Sequence, residues 1–398
     1  MAMDLATDFC GIRFRNPIIV PAGTHGRDGE TIREVSKSGV AGICTKTIVA
    51  QPAPDVLPCF VKVSAGMLNA VFGTDKPMDY WFAKGIQEAK KGEAVVIANL
   101  AGFFPEQAGD LAAKAEAAGA DMIEVPTHCP HMGEILNAMF PGMNCPEPKL
   151  TDLEPMKQSV RAIKSRVRIP VVVKLSGSFS NIVPEWARGV KEAGADGIAC
   201  SDALGPALSI DIKTGQPKLG GPRGVGGLTG AAIMPIALRM VLDNAQTVDL
   251  PVIGVGGAAS ASDVVEYIMA GATLVGVCTA GHLNGPQRYT KIISDLAKLL
   301  VKLGVKDLSE IRGLTLKRIR ERAQKGQAAV TKPVPAVVDR QLCNGCTLCE
   351  RVCVYGAARM KGKTRETRKA SIDADTCVGC GLCVSVCPTE AIRQVYYA

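Results

Sequence analysis

Eight cysteines near the end of the chain carry the clearest chemical signal. Cys343, Cys346, Cys349 and Cys353 form one run; Cys377, Cys380, Cys383 and Cys387 form a second, closed by Pro388. Each run reads C-x2-C-x2-C-x3-C. Thiolates at this spacing wrap one corner of an iron–sulfur cubane, and the fourth cysteine of each run reaches across to the other cluster. One 4Fe–4S cluster is therefore assigned to Cys343, Cys346, Cys349 and Cys387, and the other to Cys377, Cys380, Cys383 and Cys353. Structural zinc takes four ligands in pairs, a habit that a doubled run of eight does not match. Asn344-Gly345 and Val378-Gly379 supply turns that aim backbone N–H groups at cluster sulfurs. Two such clusters imply electron transfer.

The other seven of the fifteen cysteines are dispersed (Cys10, Cys44, Cys59, Cys129, Cys145, Cys200, Cys278). Free cysteine is a common small core residue, and a chain without a secretion signal is not expected to form disulfides. Residues 1–10 carry Asp4 and Asp8 and lack the apolar centre of a signal peptide, and no apolar stretch approaches a membrane span, so the expectation is a cytoplasmic protein. The net charge is +8 over 398 residues. The basic residues are scattered apart from Lys361, Lys363, Arg365, Arg368 and Lys369, read as a solvated hairpin or as a docking patch for an acidic redox partner. No aromatic stripe accompanies them, which argues against a nucleic-acid face.

Upstream, short β-branched runs alternate with Ala-rich amphipathic stretches. The pattern predicts strands at 17–21, 41–45, 95–98, 122–125, 171–175, 197–200, 252–255 and 274–277, with helices including 105–118, 153–166 and 262–270. Eight βα units over this length predict a (β/α)8 TIM barrel. An open doubly wound sheet is the alternative, weakened by the absence of G-x-G-x-x-G after the first strand. The expected organisation is α/β: a barrel over residues 1–325, a linker over 326–338 containing Thr331-Lys-Pro-Val-Pro335, and a small α+β ferredoxin-like domain with two 4Fe–4S clusters over 339–398.

Barrels place chemistry at the C-terminal ends of their strands. Those ends carry Gly23, Thr45-Lys46-Thr47, the segment from Val125 through Cys129 to His131, Lys174, Gly256-Gly257 and Cys278-Thr279. Small residues after strands seven and eight are where a barrel cradles a phosphate with backbone N–H groups. Lysines at the ends of buried strands are costly without an anionic partner, so Lys46 and Lys174 either face a bound anion or form structural ion pairs.

Several segments resemble the dihydroorotate dehydrogenase superfamily: Asn16-Pro-Ile-Ile-Val-Pro-Ala-Gly23, Thr45-Lys-Thr47, Val171-Val-Val-Lys-Leu175, Gly226-Gly-Leu-Thr-Gly230 with Pro235-Ile-Ala-Leu-Arg239, and Gly254-Val-Gly-Gly257. Pro130-His131 and Val277-Cys-Thr279 look more like the dihydropyrimidine dehydrogenase branch, whose bacterial FMN-barrel subunit also ends in a two-cluster ferredoxin domain. The resemblance implies an FMN barrel that reversibly reduces a ring C=C bond. It implies cofactor contacts at Ala22, Gly23, Lys46, Thr47, Asn99, Lys174, Gly226, Gly227, Gly256, Gly257, Cys278 and Thr279, with Lys174 stabilising negative charge on the reduced ring. It makes Cys129 the acid/base thiol and Asn69 a substrate contact.

Departures from the family pattern are informative. Pro126 stands where the family commonly has an amide-bearing Asn, His128 where it has Ser, and Ser201-Asp202 where it has Asn-Thr or Asn-Ser. Sites built on hydrogen bonds reject ligands lacking the matching groups. The expectation is therefore poor turnover of pyrimidines, with His128, Ser201 and Asp202 suiting a different polar or anionic ring. His128 and His131 flank Cys129, to tune its pKa or donate to a substrate carbonyl, or as ordinary loop histidines. The leading reading is an FMN-dependent C=C oxidoreductase, a homo- or hetero-oligomer fed through its clusters by a ferredoxin or an NAD(P)H-oxidising flavoprotein subunit. A dihydropyrimidine dehydrogenase catalytic subunit is the runner-up, and an electron-transfer subunit without its own substrate is a third.

Overall fold

The computed structural model describes residues 3–127, 133, 137, 149–327, 329–364 and 366–394. The chain divides into two compact units, Met1–Leu316 and Lys317–Ala398.

The first unit is a closed barrel of eight parallel strands: β1 (Ile18–Val20), β2 (Gly42–Cys44), β3 (Val95–Asn99), β4 (Met122–Pro126), β5 (Val171–Leu175), β6 (Gly197–Cys200), β7 (Val252–Val255) and β8 (Ala272–Gly276). Each pairs with the next, and the ring closes where Val275 and Gly276 lie beside Ile18 and Ile19. The open-sheet alternative is thereby excluded. Strand side chains alternate between two faces, and the sequence uses both. Ile19, Cys44, Ile97, Met122, Val172, Ala199, Ile253 and Leu274 fill the barrel interior. Their chain neighbours Ile18, Val20, Ile43, Val96, Ala98, Ile123, Val171 and Val173 pack outward against the helices.

A hairpin precedes the barrel, pairing Thr7–Phe9 with Ile12–Phe14. Its two buried rings meet edge to face at 6.4 Å and join the interior cluster. A Cβ on Gly42 would lie 2.9 Å from Phe14, and one on Gly197 would lie 2.9 Å from Phe9. Both glycines begin barrel strands, so the hairpin plugs the N-terminal mouth. The opposite mouth is left for chemistry.

The helices Pro105–Ala117, Glu154–Lys164 and Ala261–Ala270 stand close to their sequence-read bounds. A four-stranded antiparallel sheet that the sequence did not reveal stands over the connections: Leu204–Leu208, Val225–Thr229, Gly66–Asn69 and Phe60–Val63, in that order. The Gly226-Gly-Leu-Thr motif is one of its strands.

The second unit is two halves built alike. Gly345 and Gly379 have φ of 71° and 73° within the two cysteine runs. Each run then enters a short helix, Leu348–Val352 or Leu382–Ser385, from a left-handed residue, Thr347 or Gly381. Val337–Val338 pairs with Ile392–Arg393, and Ala358–Lys361 with Lys369–Ile372. The basic cluster thus brackets the turn of a hairpin, with Lys361 paired across from Lys369; Arg365 lies outside the described residues. Among the described residues no helix is long and apolar enough to cross a membrane.

Candidate active site and cluster ligands

Strand alternation brings three charged side chains together at the C-terminal mouth. Lys174, next to last on β5, is 5% exposed, and Glu124 of the neighbouring β4 is 1% exposed. Lys174 Nζ lies 3.3 Å from Glu124 Oε1 and 3.5 Å from Oδ2 of Asp202, just past β6. Burial alone would strip the Lys174 proton, but Asp202 and Glu124 outweigh it and hold the ammonium above its ordinary value. Asn99 closes the group from β3: its Nδ2 donates to Glu124 Oε1 at 2.6 Å, while its Oδ1 is buried without a partner. A buried acceptor left unpaired is costly unless a ligand meets it.

Lys46, after β2, is also buried, and its Nζ reaches Asp55 Oδ2 at 2.8 Å. Both buried lysines therefore form ion pairs within the chain. Thr47 accepts the Thr74 N–H through its carbonyl at 2.8 Å, fixing the loop that carries Lys46.

Gly256 and Gly257 follow β7 with φ of 127° and 84°. A Cβ on Gly257 would lie 2.7 Å from the Gly230 carbonyl oxygen, so the backbone itself forms this surface. The buried ring of Tyr267 supports the turn from below, its hydroxyl donating to the Gly256 carbonyl at 2.5 Å. Beyond β8, Thr279 donates to Thr229 Oγ1 at 3.0 Å, which donates to the Met67 carbonyl at 3.0 Å. This chain ties the loop after β8 to the antiparallel sheet. In that sheet Asn69 donates to the Gly227 carbonyl at 3.3 Å, and a Cβ on Gly226 would sit 2.4 Å from the Asn69 carbonyl oxygen. Ala22 and Gly23 leave β1; a Cβ on Gly23 would meet nothing nearer than Cys278 Sγ at 3.8 Å. Ser201 is buried, its N–H donating to the Val255 carbonyl at 2.5 Å.

Two residues that the sequence did not single out complete this rim. His25 and His282 stack at 4.4 Å. His282 Nε2 lies 2.5 Å from Thr24 Oγ1, and its Nδ1 lies 3.5 Å from Cys278 Sγ. His25 Nδ1 lies 2.8 Å from the Tyr289 hydroxyl. Burial lowers both imidazoles, His25 to about 4, with His282 adding to the shift on His25. Burial pushes the Cys278 thiol up to about 12. The signal available in sequence was position: His25 follows the end of β1, and His282 stands four residues after Cys278. Pro126 ends β4, and Thr127 is held to the Lys174 carbonyl by both its N–H and its hydroxyl. His128, Cys129 and His131 lie outside the described residues.

In the second unit, Cys353, Cys377, Cys380 and Cys383 line one small cavity of ≈ 20 Å³. Cys343, Cys349 and Cys387 gather in the small core of the same unit. Burial disfavours the thiolates of Cys353 and Cys387. Backbone N–H groups outweigh it, those of Ala358, Ala357, Tyr355 and Gly356 at Cys353 and those of Thr389, Ala391 and Ile392 at Cys387, so both thiols fall below their ordinary value. Among the described residues no three His, Cys, Asp or Glu side chains are gathered tightly enough to hold a single metal ion.

A family model described as dihydroorotate dehydrogenase matches residues 4–300, and one described as a 4Fe-4S dicluster domain matches residues 342–391. The dihydroorotate dehydrogenase B (NAD(+)) catalytic subunit of Methanothermobacter thermautotrophicus is 35% identical over 78% of this chain and 98% of its own length. The proteins of that name from Anoxybacillus flavithermus and Methanocella arvoryzae are 34% and 31% identical, over 78% and 80% of this chain and 95% and 100% of their own lengths. The matched spans take in nearly all of each relative and leave part of this chain over.

Proposed function

The chain belongs to the dihydroorotate dehydrogenase family of oxidoreductases acting on CH–CH groups and carries a 4Fe-4S dicluster domain; from that premise we propose that it exchanges electrons between two 4Fe–4S clusters and a C=C bond of a small conjugated ring, through FMN. The observation that carries this reading is the buried polar group at the barrel mouth, where Asn99, its Oδ1 unpaired, donates to the same Glu124 oxygen that Lys174 approaches. Such a constellation fits the polar edge of a flavin, and the glycine turn after β7 with Thr279 beyond β8 fits its phosphate.

When bound, FMN supplies hydride exchange at N5 with a substrate carbon. The remaining work falls to the chain. Lys174 and Asn99 would hold the ring edge, with Lys174 as a fixed positive charge. Gly23, Gly256, Gly257 and Thr279 would hold the phosphate end and ring border. Asn69 faces the substrate in this reading. Cys129 moves the proton: a thiol with an ordinary pKa of ~8.5 stays protonated at neutral pH and delivers to the neighbouring carbon. The eight cysteines ligate the clusters as paired above, the cavity shared by Cys353, Cys377, Cys380 and Cys383 supporting one quartet. Electrons reach the clusters from a partner protein, a role consistent with relatives that are themselves named catalytic subunits.

Anaerobically purified protein is expected to carry one FMN, eight iron and eight sulfide per chain, roughly the load of two cubanes. Zinc in place of iron, or FAD in place of FMN, would overturn the assignment. Turnover should then be screened with conjugated cyclic substrates and a reduced electron carrier. Pro126 and Ser201 remove two amide contacts at ~1–3 kcal/mol each, so uracil, thymine and orotate should turn over roughly 10- to 10⁴-fold more slowly than the true substrate.

A further inference from the structure

Around Lys174 the charges do not balance. Lys174 brings one positive charge, Glu124 and Asp202 bring two negative ones, and both carboxylates lie within ion-pair distance of Lys174 Nζ. Lys46 adds nothing free, since Asp55 matches it at 2.8 Å. His25 and His282 are both lowered and stay neutral at pH 7. The carboxylate of Asp202 is also the accessible member of the trio: its side chain is 34% exposed, against 6% for Lys174 and 1% for Glu124. One oxygen is engaged by Lys174, and the other accepts the Ala203 N–H at 2.8 Å. Ala203 packs beside Gly227, whose carbonyl holds Asn69. Asp202 is thus linked to Asn69 through Ala203 and Gly227.

We propose that Asp202 is a specificity-determining residue that turns away rings bearing a carboxylate. The proposal rests on the barrel mouth being the flavin and substrate site. Specificity of this kind comes from a placed repulsion as much as from attraction. The sequence pattern alone left an anionic ring open as a substrate; the pairing of Asp202 with a lysine that Glu124 already matches weighs against that option.

Orotate and uracil share a ring and differ by one carboxylate, so they read the effect directly. Each is titrated into the oxidised holoenzyme, wild type and Asp202→Asn, and followed by the flavin difference spectrum. Sulfite, a small anion that adds to flavin N5 and bleaches its absorbance, is titrated in parallel. Asp202→Asn is expected to tighten both orotate and sulfite roughly 10- to 100-fold and to leave uracil within about threefold. Asp202→Ser should follow Asp202→Asn. Asp249→Asn, which removes a remote exposed acid paired with Lys191, should change none of the three. Orotate and uracil moving together would overturn the proposal, as would unchanged sulfite affinity in both Asp202 variants. Where neither ring perturbs the spectrum, the sulfite result decides. Flavin released on denaturation is measured first: protein without FMN defeats the functional reading itself, whereas FMN-loaded protein with unchanged anion affinity defeats only the role of Asp202.

Discussion

The two units of this chain are held together by different means. The barrel buries large side chains completely, among them Trp81, Tyr267, Tyr289, Phe9 and Phe14, together with a continuous set of Ile, Val and Leu. Among the described residues the smaller unit buries Ala336, Ala358, Ala370, Ala391, Cys343, Cys349 and Ile392, with Val338, Met360, Ile372 and Val384 only partly buried against them, and leaves Val337, Leu342 and Val354 exposed. Apolar burial contributes about 25 cal/mol per Å², so a core of alanines contributes little. Domains of this size need staples. The comparison teaches that the barrel is held by packing, and that the smaller unit needs another support, which the proposed clusters would supply.

Stripping the iron is the severest way to break that comparison. Oxidation and chelation should abolish amide hydrogen-exchange protection across residues 317–398 while the barrel keeps its own. Retained protection in the iron-free unit would refute the distinction. Both tryptophans, Trp81 and Trp186, lie in the barrel, so their fluorescence reports the first unit alone and should be unchanged.

Cys129→Ala separates the chemistry of the units. Reduction of the flavin through the clusters should persist, while its reoxidation by substrate slows about 10²- to 10⁴-fold, the usual worth of a positioned acid. Stopped-flow absorbance resolves the two half-reactions. Unchanged reoxidation would remove Cys129 from the mechanism and make His128 or His131 the next acid to test.

A truncation inside the barrel should be costly and local. Ile97 is fully buried in the interior layer. Ile97→Ala is expected to lose about 2–5 kcal/mol in tryptophan-monitored urea unfolding, with iron content unaltered. A drop in iron would show that the units share their stability.

The smallest effect is a pH dependence. His25 has a folded pKa of about 4 against an ordinary 6.5. Between these values the unfolded chain binds the proton and the folded one does not. Its contribution to stability is therefore complete above pH 6.5, declines as pH falls, and levels off below about 4. After solvent screening the change amounts to about 1 kcal/mol. His25→Gln should flatten that part of the barrel's stability profile; an identical profile would exclude His25 as its source.

Much of this architecture was legible because buried parallel strands advertise themselves. Val171–Leu175, Gly197–Cys200 and Val252–Val255 are unbroken runs of residues suited to burial on two faces, and they stand at the bounds read from sequence. The antiparallel sheet was not legible, since Leu204–Leu208 and Val225–Thr229 are interrupted by glycine and proline and only half-buried. In the site, Lys174 announced itself as a charge within an apolar run. Glu124 did so equally, in Met122-Ile-Glu-Val125, and was passed over because the two only become partners once β4 and β5 lie side by side. The hairpin reading of the basic cluster held for a local reason, the short spacing between its strands. What it did not foresee was Lys369 donating to the Cys343 carbonyl at 2.5 Å.

The turn after β7 constrains which sequences can follow this one. A Cβ on Gly254 would lie 2.4 Å from the Tyr267 ring, and that same ring carries the hydroxyl that holds Gly256. Neither position can change first without harm. A side chain at 254 collides with the ring, and a smaller residue at 267 empties the space and frees the Gly256 carbonyl. The two sites are therefore epistatic. Their substitutions should combine non-additively, and a lineage can cross from one pairing to another only through a less fit intermediate or by two changes at once.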